Sequence, residues 1–106
     1  MIIKTLFHLI ILVSIINAQQ FTIKGKIVDA DSKSPLSFAN IRVAETSLGT
    51  SSNVNGEFEL KLKQGTYKLI ASFIGYYSDT VNVEVVENLN EVNFSLRQSE
   101  IILSEV

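Results

Sequence analysis

From residue 21 onward, apolar and polar residues alternate in short runs. Phe21, Ile23 and Ile27 alternate with Thr22, Lys24 and Lys26, which predicts a strand ending near Asp29. Asp31-Ser32-Lys33-Ser34-Pro35 is a turn cluster with the only proline of the chain. Phe38 to Glu45 predicts a second strand, with Ile41 and Val43 on one face. Leu48, Thr50, Ser52 and Val54 alternate weakly with small polar residues and predict a short third strand. Asn55-Gly56 favours the positive φ angles of a type I′ hairpin turn. Phe58, Leu60 and Leu62 then alternate with Glu57, Glu59, Lys61 and Lys63, so one face of the fourth strand is apolar and the other charged. After Gln64-Gly65, Thr66 to Ile74 is the most apolar stretch of this part of the chain. Tyr67, Leu69, Ala71 and Phe73 share one face, and Ile70 and Ile74 lie on the other, as a central strand requires. Gly75 breaks the run. Val81, Val83 and Val85 make a sixth strand, and Val92, Phe94 and Leu96 a seventh.

Seven short alternating strands without a convincing helix predict an all-β fold, a seven-stranded antiparallel β-sandwich. A membrane barrel fits poorly, because the outward faces are charged and the strands are short for a bilayer crossing.

The first residues read differently. Met1 and Lys4 precede an apolar run from Leu6 to Ile16, and polarity returns at Asn17-Ala18-Gln19-Gln20. This is the layout of a secretory signal peptide over residues 1–18, cut after Ala18. A retained membrane helix would need about 20 apolar residues. The domain expected to remain is 19–97, followed by an exit segment, 98–106.

Composition removes most chemistry. Without Lys4, the nine basic residues become eight against eleven acidic ones, with no basic stripe for nucleic acid. There is no cysteine, so no disulfide and no lipid-modified cysteine, and the one histidine, His8, falls in the predicted leader. The common catalytic triads and zinc sites therefore lack their residues, and no Gly-rich phosphate loop is present. No catalytic residue, metal or cofactor is expected. Asn53-Val54-Asn55-Gly56-Glu57 has the oxygen spacing of a calcium loop but not its carboxylates, and reads as a turn. Tyr76 and Tyr77, after Gly75, are candidate surface aromatics for a glycan or protein ligand. Packing is the commoner role for such residues.

These segments resemble, in order, the carboxypeptidase-like regulatory domain. Ile23-Lys24-Gly25-Lys26-Ile27-Val28-Asp29 resembles its opening strand. Pro35-Leu36-Ser37-Phe38-Ala39-Asn40-Ile41 resembles its Pro-Leu-x-x-Ala-x-Val element. Leu48-Gly49-Thr50 with Asn55-Gly56-Glu57-Phe58 resembles its Gly-Thr … Asn-Gly-x-Phe hairpin. Gly65-Thr66-Tyr67-Lys68-Leu69 and Ser72-Phe73-Ile74-Gly75-Tyr76 match two further elements. The resemblance implies a transthyretin-like (prealbumin-like) sandwich without catalytic residues. It also implies a setting at the N-terminus of SusC-type TonB-dependent outer-membrane receptors, which serve nutrient or glycan uptake. Leu103-Ser104-Glu105-Val106 resembles the start of the segment that leads into such a receptor's plug. Leu103, Glu105 and Val106 are thus candidate partner contacts, by strand addition, with TonB or a plug and barrel on a continuing chain.

The leading expectation is a non-catalytic receptor module at the periplasmic face of the outer membrane, present here as a fragment or truncated form. The alternatives are a freestanding secreted or periplasmic glycan- or protein-binding sandwich, and an accessory domain of a metallocarboxypeptidase.

Overall fold

The computed structural model describes residues 19–100. The predicted leader, and Leu103, Glu105 and Val106 of the exit segment, lie outside that range. Seven strands follow in order: β1 (Gln20–Asp29), β2 (Asn40–Val43), β3 (Gly49–Ser51), β4 (Glu57–Lys63), β5 (Gly65–Ser72), β6 (Asp79–Val85) and β7 (Phe94–Leu96). They form two sheets, ordered β4-β1-β7 and β3-β2-β5-β6.

The predicted sandwich is the observed architecture, with one strand running the other way. Most pairings are antiparallel, but β7 pairs with β1 in parallel, Ile27 opposite Phe94 and Asp29 opposite Leu96. Side-chain periodicity reports which face is apolar and carries no information on strand direction.

The core lies between the sheets. Ile23 and Ile27 of β1, Phe58, Leu60 and Leu62 of β4, and Phe94 and Leu96 of β7 come from one side. Ile41 and Val43, Leu69 and Ala71, and Val83 and Val85 come from the other. β2, β4 and β7 bury alternate residues along their whole length, as an amphipathic strand must when only one face is covered. Gly25 is the core-facing gap in β1. A Cβ there would lie 1.7 Å from the carbonyl oxygen of Val92, so only glycine admits that backbone.

Four details depart from the sequence-based expectation. β2 begins at Asn40, because Phe38 adopts a left-handed conformation (φ 61°) and projects into solvent. In the third strand the apolar members, Leu48 and Val54, are exposed, and Ser52 is the buried residue. Its hydroxyl donates to Leu36 O (2.6 Å) and accepts from Ala39 N (2.9 Å), which satisfies a polar group inside the core.

β3 and β4 are not a hairpin: they belong to different sheets, and β4 pairs with β1. Gly56 alone in their connection has positive φ (75°), so the turn is not type I′, which needs two such residues. Lastly, Ile74 lies beyond β5. Tyr76 N donates to Phe73 O (3.0 Å), and Gly75 (φ 86°) completes this turn with Ile74 at its tip.

Candidate functional site

The densest polar network joins three segments that are distant in sequence. Asp29, the last residue of β1, is 7% exposed. Its Oδ1 accepts from Asp31 N (2.8 Å) and Ser32 N (2.9 Å), and so shapes the turn that follows β1. Its Oδ2 accepts from the Tyr76 hydroxyl at 2.6 Å. Gln98 Nε2 in turn donates to the Tyr76 hydroxyl oxygen at 3.3 Å. The result is a relay from the segment after β7, through the β5–β6 connection, to the end of β1.

Backbone pairing reinforces it. Tyr76 and Gln98 form an antiparallel bridge, in which Tyr77 N donates to Arg97 O and Ser99 N to Gly75 O, both at 2.9 Å. The Arg97 guanidinium lies 5.4 Å from the centre of the Tyr77 ring. β7 belongs to one sheet and the Gly75–Tyr77 segment connects two strands of the other. The residues after β7 therefore stitch the sheets together where the chain leaves the sandwich.

The electrostatics follow from this geometry. The Tyr76 hydroxyl is the main cause of an Asp29 pKa lowered to about 2, with Ser32 N–H next, burial opposing and Asp31 N–H assisting. Tyr76 shifts the opposite way. Its pKa is raised, first because the phenolic proton is held in the hydrogen bond to Asp29, with the Gln98 donor opposing, and also because losing that proton would set two negative oxygens face to face. A carboxylate this acidic, with both oxygens occupied by donors, makes a poor general base, and a phenol held protonated makes a poor nucleophile.

The other sequence candidates fall into place. Tyr76 is half-buried and packs edge-on against Phe73, with ring centres 5.6 Å apart. Tyr77 is exposed. The two tyrosines sit together where the residues after β7 pair with the β5–β6 connection. In Asn53–Glu57, Asn53 Oδ1 accepts from Asn55 N and Glu57 N, both at 2.9 Å, so this oxygen organises the turn. Among the described residues, no group of three or more Cys, His, Asp or Glu side chains is placed to hold a metal. No helix among them is long and apolar enough to cross a membrane. Sequence reasoning did not single out Asp29. The available signal was an aspartate at a strand end, two residues before Asp31-Ser32, the arrangement of an Asx-type turn.

The model of the CarboxypepD_reg-like domain matches residues 23–106. The chain belongs to this family. As a CarboxypepD_reg-like domain it is of a non-catalytic kind. It is 36% identical over 89 residues to the TonB-dependent receptor SusC of Bacteroides thetaiotaomicron, covering 84% of this chain and 8% of the receptor. It is 34% identical over 83 residues to a viral protein, structural protein 27 of isolate Australia/Victoria, covering 78% of this chain and 16% of that protein. The chain thus spans a small part of either relative.

Among solved structures, a chain of a type II cohesin–X–dockerin complex from Acetivibrio cellulolyticus matches with TM-score 0.64 and 20% identity, over 78% of this chain and 61% of that one. A membrane-associated protein of unknown function from Bacteroides fragilis matches with TM-score 0.55 and 24% identity, over 77% and 29%. At these identities the likeness is one of fold.

Proposed function

We propose that this CarboxypepD_reg-like domain is the non-catalytic N-terminal module of a TonB-dependent outer-membrane receptor, exported and held on the periplasmic side. The 36% identity to SusC over most of the chain carries the reading. The site geometry supports it. The module's most elaborate polar network grips the outgoing chain, which suits a domain that hands a polypeptide on in a defined direction. In this reading residues 1–18 are a cleaved leader. Leu103, Glu105 and Val106 contact TonB or the receptor's own plug by strand addition. The module performs no chemistry itself, since its best-placed carboxylate and phenol are spent on each other.

The test is the coding sequence beyond Val106. An in-frame plug and barrel is the expected result. A stop codon at that point, confirmed by the mass of the native protein, would sink the proposal and favour a freestanding module.

A further inference from the structure

The turn between β3 and β4 holds a reactive pair that neither the core nor the Tyr76 network uses. Of the asparagines of the chain, Asn55 alone precedes a glycine. An asparagine side-chain amide is open to attack at Cγ by the backbone nitrogen of the next residue. A side chain on that next residue hinders the approach, and glycine has none. Asn55 is exposed, so water reaches its amide.

The folded turn withholds the nucleophile. Gly56 N donates to Asn53 O at 2.9 Å, the closing bond of a β-turn. Gly56 O accepts from Ile27 N at 2.8 Å, and Asn53 N donates to Glu57 O at 2.8 Å. Asn53 Oδ1 accepts from Asn55 N and Glu57 N, both at 2.9 Å. Gly56 itself is buried, and a Cβ there would lie 2.7 Å from Ile27 O and 2.9 Å from the Pro35 ring. Ring closure needs Gly56 N to lose its proton and the Asn55–Gly56 peptide to rotate onto the Asn55 side chain. Both moves break bonds that the turn makes, so the reaction waits for the turn to open.

We propose that Asn55 is a latent deamidation site, shut by the folded turn and released when that turn opens. In the first step Gly56 N forms a bond to Asn55 Cγ and the Cγ–Nδ2 bond breaks. Nδ2 takes up the proton from Gly56 N and leaves as ammonia. Water then hydrolyses the cyclic imide to aspartate or isoaspartate, and no oxidant or reductant takes part. Either product adds a negative charge. Isoaspartate also lengthens the backbone by one carbon just ahead of Gly56, where Ile27 O and Pro35 leave no slack. A turn that reacts this way cannot regain its register against β1, so a transient opening becomes a permanent mark. The inference is independent of the receptor reading, because it concerns bonds within this one turn.

Peptide-mapping mass spectrometry tests it on the full chain, aged in mildly alkaline buffer with and without guanidinium chloride. In denaturant, Asn55 is expected to convert ahead of every other asparagine. In the folded chain it is expected to convert more slowly by about tenfold or more, the factor being set by the free energy of local opening. Gly56→Ala, compared in denaturant where folding is not at issue, slows the conversion. Asn53→Ala removes the side-chain acceptor of two turn N–H groups and speeds conversion in the folded chain. Equal wild-type rates with and without denaturant would overturn the proposal, as would another asparagine reacting first in denaturant. An unchanged slow rate in folded Asn53→Ala would overturn the role given to the turn.

Discussion

The Tyr76 hydroxyl donates to Asp29 Oδ2 at 2.6 Å across 47 residues of sequence, and through this bond the end of β1 recognises the β5–β6 connection. Either residue alone leaves the other with an unmet hydrogen-bonding group. Asp29→Asn and Tyr76→Phe are each expected to lower the melting temperature, and the double variant by less than the sum of the two. A double-mutant cycle measures that shortfall. Additive losses would mean that the two residues act independently.

The same bond sets an acid limb of stability. Asp29 has a folded pKa of about 2 against an ordinary value of 3.8, so between these values the unfolded chain binds more protons. Its contribution is therefore complete above about pH 4, declines as pH falls through 3.8 toward 2, and is exhausted below 2. Tyr76 works at the other end. Its raised pKa makes its contribution complete below pH 10 and lost as pH rises beyond. Denaturant melts from pH 2 to pH 5 are expected to show a shallower acid decline in Asp29→Asn than in the wild type.

Tyr77 has a lighter role. Its ring is exposed beside Arg97, an arrangement worth about 0.5–1 kcal/mol at the surface. Tyr77→Ala is expected to move the melting temperature little, whereas Tyr76→Ala moves it clearly. Equal effects in thermal melts would contradict this division.

Ser52 is a polar residue the core cannot spare. Ser52→Ala removes the acceptor for Ala39 N–H and the donor to Leu36 O in a buried setting. The expected loss is about 1–3 kcal/mol by urea denaturation. Cysteine would be a poor rescue, since its thiol is a weak donor.

Gly25→Ala is expected to be among the most damaging small changes. Its Cβ would meet Val92 O at 1.7 Å and the Phe58 ring at 2.8 Å, and Val92 O is backbone that cannot rotate aside. Overpacking of this sort costs about 1–3 kcal/mol or more. Soluble yield and the urea midpoint report it. A variant as stable as the wild type would show that the β7 lead-in shifts freely.

The strands most legible in the sequence were those whose burial follows apolarity. In β4, Phe58, Leu60 and Leu62 are buried and the intervening charges exposed, as the alternation requires. β3 (Gly49–Ser51) forms where a short third strand is expected, but burial around it does not follow apolarity. Leu48 and Val54 are apolar but exposed, and Ser52 is polar but satisfied inside, so hydropathy ranks these positions backwards. Phe38 looked like a strand residue because nothing local announces a left-handed phenylalanine. At the site, Tyr76 and Tyr77 stood out, but their partners did not. Asp29 and Gln98 are brought to Tyr76 by sheet packing, and no local pattern encodes a contact made at that range.

The parallel pairing of β1 with β7 has a mechanical consequence. The outgoing chain leaves from the end of β7, so a pull on it drags β7 lengthwise along β1, which its long pairing with β4 holds in place. The hydrogen bonds between β7 and β1 are then loaded together in shear rather than opened one after another from an end. The bridge between Tyr76 and Gln98 lies next in line behind β7. A pull on the outgoing end meets that fastening first and the shear-loaded strands behind it.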